Sequence, residues 1–216
     1  MNEHERAEDT RPITEQRMNR MRTVIRRRQP DLTVVIENVH DPHNVSAVLR
    51  SCDAVGISRV HLVYSVENEP ELSRGVAASA QKWLEIRRHP SIASCYQCLR
   101  EDGFRILATA LQEDCLHLHE IDFTRPIAVV FGNEMRGCSE EAVSSADGTL
   151  LIPMMGMVQS LNISVACAVT LYEALRQRRV AGDYDEPKIP EADRRETLNH
   201  WLERDRRAPL ADDDPA

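Results

Sequence analysis

The apolar positions of this chain follow two rhythms. Leu32-Thr-Val-Val-Ile-Glu37 is a compact run rich in β-branched residues, the signature of a buried strand. Beyond it, Val45, Val48, Leu49, Cys52 and Val55 recur at intervals of three and four, which places them on one face of a helix, and Gly56 stops that helix. Strands are expected again at residues 59–64, 83–87, 104–109, 126–131 and 148–152, with helices from Ser91 to Glu101 and from Ser139 onward. This alternation predicts an α/β fold, a mostly parallel sheet with helices on both faces. In such sheets ligands bind at the carboxyl ends of the strands. Here those ends are Thr109, the Gly132-Asn133-Glu134 turn and the loop from Pro153 to Asn162.

Helical extensions are expected at both ends of this unit. From about Pro12 to Arg28, Met18, Met21, Val24 and Ile25 form one apolar stripe, and the arginines fall mostly off it. Residues 191–207 place Leu198, Trp201 and Leu202 on one face, suited to packing on the body or on the first helix. The organisation expected is therefore a disordered 1–11, a basic helix over 12–29, a central domain over 30–180, and a helix with an acidic tail over 181–216. The stretch from Leu151 to Tyr172 stands apart. Pro153 and Gly156 break the backbone, Gln159, Ser160 and Asn162 crowd the next apolar run, and that run continues to Tyr172 without a polar face. A helix buried on most sides is expected there, approached closely at Ala166, Cys167 and Ala168.

Composition changes this picture in three places. Aromatic residues make up only 4% of the chain, so the core must be aliphatic. No apolar run reaches the roughly 18 residues of a membrane span, and the acidic start lacks the apolar segment of a secretory signal, so the expectation is a cytoplasmic protein with no membrane partner. The net charge of −8 disfavours nucleic acid only if it is uniform. It is not: from Arg17 to Arg28 there are six arginines and no acid, whereas Asp183 to Ala216 holds eleven acids against six bases. Local positive potential is what phosphate contact requires. Arg17, Arg20, Arg27 and Arg28, with Arg74 and Lys82 from a second basic cluster, are the candidate nucleic-acid contacts, a merely solvated helix being the alternative. The six cysteines sit mostly in apolar contexts, as reduced thiols do. Cys95-Tyr-Gln-Cys98 lacks the second pair that a zinc site of that pattern needs, so no metal is expected.

Several chemistries lose support by elimination. The turn after the first strand is Asn-Val-His-Asp-Pro where a dinucleotide site needs Gly-x-Gly-x-x-Gly, and neither a Walker lysine loop nor a Gly-x-Ser-x-Gly elbow is present. What remains is Asn44 with Arg50, Gly132 with Glu134, and Ser160 with Asn162. Asn44-Val-Ser-Ala-Val-Leu-Arg50, Phe131-Gly-Asn-Glu134 and the run from Ile152 to Ala166 resemble the three ordered motifs of the SpoU-type, or SPOUT, RNA ribose 2'-O-methyltransferases. The resemblance covers roughly Arg28 to Arg178, and residues 28–33, 43–46 and 156–162 further resemble the tRNA guanosine-18 branch. Ser46 departs from the family's usual glycine.

That resemblance implies a deep carboxyl-terminal trefoil knot, S-adenosylmethionine as cofactor, tRNA as partner, and a homodimer whose active site is shared between protomers. Thr109, Gly132, Ile152, Met157 and Leu161 would contact the cofactor, although Ile152 and Leu161 also read as plain core. Arg50, Asn44, Glu134, Ser160 and Asn162 would carry catalysis. A guanidinium holds its proton at working pH, so Arg50 suits a phosphate clamp that orients and polarises the 2'-hydroxyl better than a base. Glu134 would hold loop amides or the Arg50 of a second protomer. Asn44 is equally readable as a helix cap, and capping is an open reading for Ser160 and Asn162 too. Ribosomal RNA as substrate, and a non-catalytic RNA-binding factor on the same fold, are the alternatives.

Overall fold

The computed structural model describes residues 13–70, 80–112 and 114–205. Arg74, the expected disorder over 1–11, the first-turn Pro12 and the tail beyond 205 lie outside them.

Seven strands form one sheet in the order β3-β2-β1-β6-β4-β7-β5, and every pairing is parallel. They are β1 (Leu32–Glu37), β2 (Arg59–Val63), β3 (Glu85–His89), β4 (Arg105–Thr109), β5 (Leu116–His117), β6 (Ile127–Phe131) and β7 (Gly148–Leu151). Among the described residues six α-helices accompany them: α1 (Glu15–Arg26), α2 (Pro42–Ala54), α3 (Ile92–Glu101), α4 (Glu140–Ser145), α5 (Ile163–Val180) and α6 (Glu191–Asp205). Period-two alternation sorts the strand side chains into two layers. Val34, Ile36, Val60, Leu62 and Val129 pack against α2 and α5, while Val35, Val63, Ile106, Ala108 and Val130 pack against α3 and α4. Central β1 is buried at every residue, which is why it reads as a continuous apolar run.

A third cluster unites the two ends of the chain. Met18, Met21 and Ile25 of α1 meet Trp201 and Leu202 of α6, with Trp83 edge-on to Trp201 at 5.1 Å between ring centroids. Of the two packing partners expected for the last helix, the first helix is a principal one. Helix α1 itself begins at Glu15, capped by Thr14, whose hydroxyl accepts from the Arg17 amide at 3.3 Å.

Three expectations need correction. The strand expected over 83–87 is Glu85–His89, because Trp83 turns back into the cluster with α1 and α6. The two-residue β5 is too short to show a rhythm in the sequence. Finally, α5 is buried on one face only: Ile163, Cys167, Leu171 and Ala174 join the core, but Val165, Val169 and Tyr172 are 46%, 40% and 55% exposed.

Candidate active site

The carboxyl ends of β4, β6 and β7 and the loop leading into α5 enclose a cleft of about 1060 Å³. Thr109, Gly132, Glu134, Ile152, Ser160, Leu161 and Asn162 all line it, together with Cys138, Ile163 and Ala166, to which the sequence reading gave no ligand contact. The size and the mix of aliphatic side chains with loop backbone suit a small organic ligand.

Gly132 explains why the wall can form. A β-carbon there would lie 2.1 Å from the Cys138 nitrogen and from the Gly137 carbonyl carbon, so only glycine permits the chain to fold back on itself directly after β6. Asn133 and Gly137 close that turn with reciprocal backbone hydrogen bonds of 2.9 and 2.8 Å. Thr109 donates its hydroxyl to the Val130 carbonyl at 2.9 Å, tying β4 to β6 beneath the cleft. Burial pushes the Cys138 thiol up to about 12, so the cleft has a neutral sulfur in its wall.

From this turn Glu134 reaches across to the loop after β1. Its carboxylate accepts from the amides of His40 (3.2 Å) and Asp41 (3.1 Å) and from Asn44 Nδ2 (3.0 Å). Burial opposes ionisation of Glu134, but the hydrogen bonds from Asn44 and the backbone outweigh it and hold its pKa below the usual value. Asn44 Oδ1 in turn accepts from Asn162 Nδ2 at 3.0 Å, and Asn162 caps α5 by accepting from the Ser164 amide at 2.8 Å. The three motif segments are thus one hydrogen-bonded chain. The loop-amide reading of Glu134 is realised; the cap of α2 is Asp41, not Asn44. Asn162 caps α5 and is exposed.

Two residues the sequence did not flag complete the scaffold. Asn38 adopts φ 50°, a conformation asparagine tolerates, and its side-chain oxygen accepts from the amides of Ser65, Val66 and Glu67. Asn133 Nδ2 donates to the Asn38 carbonyl at 2.8 Å. Ser46, at the family's glycine position, is buried and donates to the Pro42 carbonyl at 2.6 Å, so the departure is satisfied internally.

Other expected residues lie elsewhere. Met157 is 98% exposed and not part of the cleft wall, because the loop carries it outward before turning back at Gln159. Arg50 is exposed on α2, outside the cleft lining, and has no hydrogen-bond or ion-pair partner among the described residues. Among the RNA candidates, Arg28 is 1% exposed: it donates to Asp53 (2.6 Å) and to the Ile57 and Trp83 carbonyls, and stacks over Trp201. It holds α1 to the body and cannot present a surface charge. Arg17 makes a two-pronged bond to Asp205 of α6, and Lys82 lies 3.6 Å from the same carboxylate. Arg20 and Arg27 are exposed, with neither guanidinium paired among the described residues.

Comparison with known proteins fits this geometry. The model of the SpoU rRNA Methylase family matches residues 31–172. The chain belongs to this family. It is 50% identical over 189 residues to a tRNA (guanosine(18)-2'-O)-methyltransferase of Thermus thermophilus, covering 88% of this chain and 97% of that one. It also superposes on the A. aeolicus TrmH/SpoU tRNA modifying enzyme with a TM-score of 0.83 at 38% identity, covering 88% of this chain and 97% of the other. The SpoU methyltransferase AviRb from Streptomyces viridochromogenes, in complex with the cofactor AdoMet, matches with a TM-score of 0.61 at 28% identity over 72% of this chain and 60% of its own. The α/β architecture with the knotted carboxyl-terminal region of the SpoU fold rests on these matches.

Proposed function

We propose that this chain methylates the ribose 2'-hydroxyl of guanosine-18 in tRNA with S-adenosylmethionine, acting in the cytoplasm as a homodimer. The observation that carries the reading is the cleft itself. Two of the three motif segments line it and the first is bonded to both through Asn44, its size suits the cofactor, and the Gly132 turn gives a close-approach backbone wall. Thr109, Gly132, Ile152 and Leu161 would hold the cofactor there, which when bound supplies an electrophilic sulfonium methyl group. The substrate follows the tRNA (guanosine(18)-2'-O)-methyltransferase of Thermus thermophilus, of which 97% is matched.

The remaining chemistry falls to the chain's own residues. Arg50, exposed on α2, clamps the phosphate beside the target ribose with its planar fork of donors and orients the 2'-hydroxyl. The hydroxyl proton leaves to a phosphate oxygen or water as the oxygen attacks. Glu134, Asn44 and Asn162 position the loops around the reacting groups without touching them. Because Arg50 stands outside the cleft of its own chain, a second protomer is the natural source of the clamp. The apolar face of α5 formed by Val165, Val169 and Tyr172, at spacings of four and three, supports such a contact.

The test is incubation of the full chain with methyl-labelled S-adenosylmethionine and unmodified tRNA, followed by mapping of the ribose methyl group. Label at guanosine-18 is the expected result. Label in ribosomal RNA with none in any tRNA would overturn the substrate, and no transfer to either RNA would return the chain to a binding role.

A further inference from the structure

At the edge of the sheet away from the cleft, β2, β3 and α3 bring two imidazoles and a thiol together. His61 of β2 is 1% exposed, and its Nδ1 lies 2.8 Å from Nε2 of His89, the last residue of β3. The rings stack with centroids 5.1 Å apart at 17°. Cys95, buried in α3, completes a set in which one ligand atom from each residue lies within 4.8 Å of the others.

Packing alone does not account for this corner. The surrounding layer is aliphatic, with Val35, Val63 and Ile92 among its members, and an imidazole pair set into such a layer must be stripped of water. The single hydrogen bond between the rings offsets only part of that cost. His61 Nε2 stays buried with no hydrogen-bond partner among the described residues. The two facing nitrogens, His61 Nδ1 and His89 Nε2, are both free to ligate in the tautomers that place the protons on His61 Nε2 and His89 Nδ1.

We propose that His61, His89 and Cys95 form a binding site for a single zinc-class ion that pins edge strand β3 and helix α3 to β2. Two nitrogens and one sulfur are the donor set of a borderline-soft ion, not of magnesium or calcium, which take oxygen. Bond lengths of about 2.0–2.1 Å to nitrogen and about 2.3 Å to sulfur put neighbouring ligand atoms of a tetrahedral site roughly 3.3–3.8 Å apart. The two rings would separate by about half an ångström to admit the ion, a side-chain adjustment. On binding, Cys95 releases its thiol proton to solvent and each neutral imidazole contributes a lone pair, leaving the fourth position for water. The flanking Arg59 and Arg87 are both held by Glu85 and Asp102, which moderates their repulsion of a cation.

The test uses the full chain stripped of metal with a chelator and then titrated with Co²⁺ and Zn²⁺. One equivalent of Co²⁺ is expected, with the thiolate charge-transfer band and the visible bands of tetrahedral cobalt, all displaced by Zn²⁺. Zn²⁺ should also raise the unfolding temperature. Cys95→Ser should abolish the charge-transfer band while keeping the wild-type circular dichroism. His89→Ala, at the half-buried position, should weaken Zn²⁺ by about 100-fold or more, beyond the roughly 10–100-fold of an outer-shell change. Absence of Co²⁺ binding to the wild-type chain would overturn the site. So would a band that survives Cys95→Ser and is lost in Cys98→Ser or Cys115→Ser, since the thiol would then lie outside the cluster.

Discussion

Arg27 and Arg28 are neighbours in sequence with opposite fates. Arg27 points to solvent from the end of α1, whereas Arg28 is enclosed by Asp53, Ile57, Trp83 and Trp201. Burial lowers the Arg28 pKa and Asp53 partly restores it, the pattern of a cation held by its surroundings. The two residues should therefore fail differently. Arg28→Ala is expected to lower stability by about 3 kcal/mol, because orphaned carbonyls and Asp53 remain, which urea unfolding would measure. Arg20→Ala with Arg27→Ala should leave the unfolding midpoint in place. It should instead flatten the slope of log affinity against log salt for tRNA by roughly 0.7–0.9 for each phosphate that is no longer neutralised. An unchanged slope would make both arginines solvated bystanders. Arg50 is a third kind of arginine, exposed and outside the lining of the cleft. Arg50→Ala should reduce turnover by at least about 100-fold while cofactor affinity, read by calorimetry, stays within about twofold. Weakened cofactor affinity with normal turnover at saturation would contradict the clamp.

Elements are held in register at the site by few bonds, which makes Glu134 informative. Its carboxylate accepts three donors from the β1–α2 connection and the start of α2. Glu134→Gln keeps the shape but turns one acceptor into a donor facing another donor. Turnover is expected to fall roughly 10–100-fold with circular dichroism unchanged, and Glu134→Asp, which keeps the charge, should recover part of it. Activity equal to wild type in Glu134→Gln would remove Glu134 from the positioning network. The elements this bond chain joins were legible in the sequence: β1, α2, β6 and the α5 entry all carry strong rhythm or punctuation. The bonds were less so. Asn38 and Asn133 read as ordinary turn residues, and nothing local reveals that a side chain pairs with a backbone carbonyl 95 positions away. The same holds for Arg28 against Arg27, since burial depends on Trp83 and Trp201, which are remote in sequence. Cys95 looked like half of an incomplete motif because its histidine neighbours come from strands. The outward course of Met157 depends on how its loop crosses the cleft, which hydrophobicity does not encode.

For the whole molecule, the two faces of α5 pose the decisive question. One face completes the core beside α2, and the other offers Val165, Val169 and Tyr172 to a partner. If a second copy covers that face, each cleft can receive Arg50 from the opposite chain, and catalytic parts must then complement across protomers. The consequence is arithmetic. Arg50→Ala protomers keep an intact cleft, and Leu161→Arg protomers keep Arg50 but lose the apolar wall that Leu161 gives the cleft. Each variant alone should be inactive. Unfolded together and refolded at equal amounts, half the dimers would be mixed and one of the two sites in each would be complete, restoring about one quarter of wild-type turnover. Tyr172→Asp, placing a charge on the α5 face, should abolish both the restored activity and the dimer in light scattering. A mixture that stays inactive while native mass spectrometry reports mixed dimers would mean that Arg50 serves its own cleft. A monomeric wild type with full activity would mean that the apolar face of α5 has some purpose other than pairing two copies.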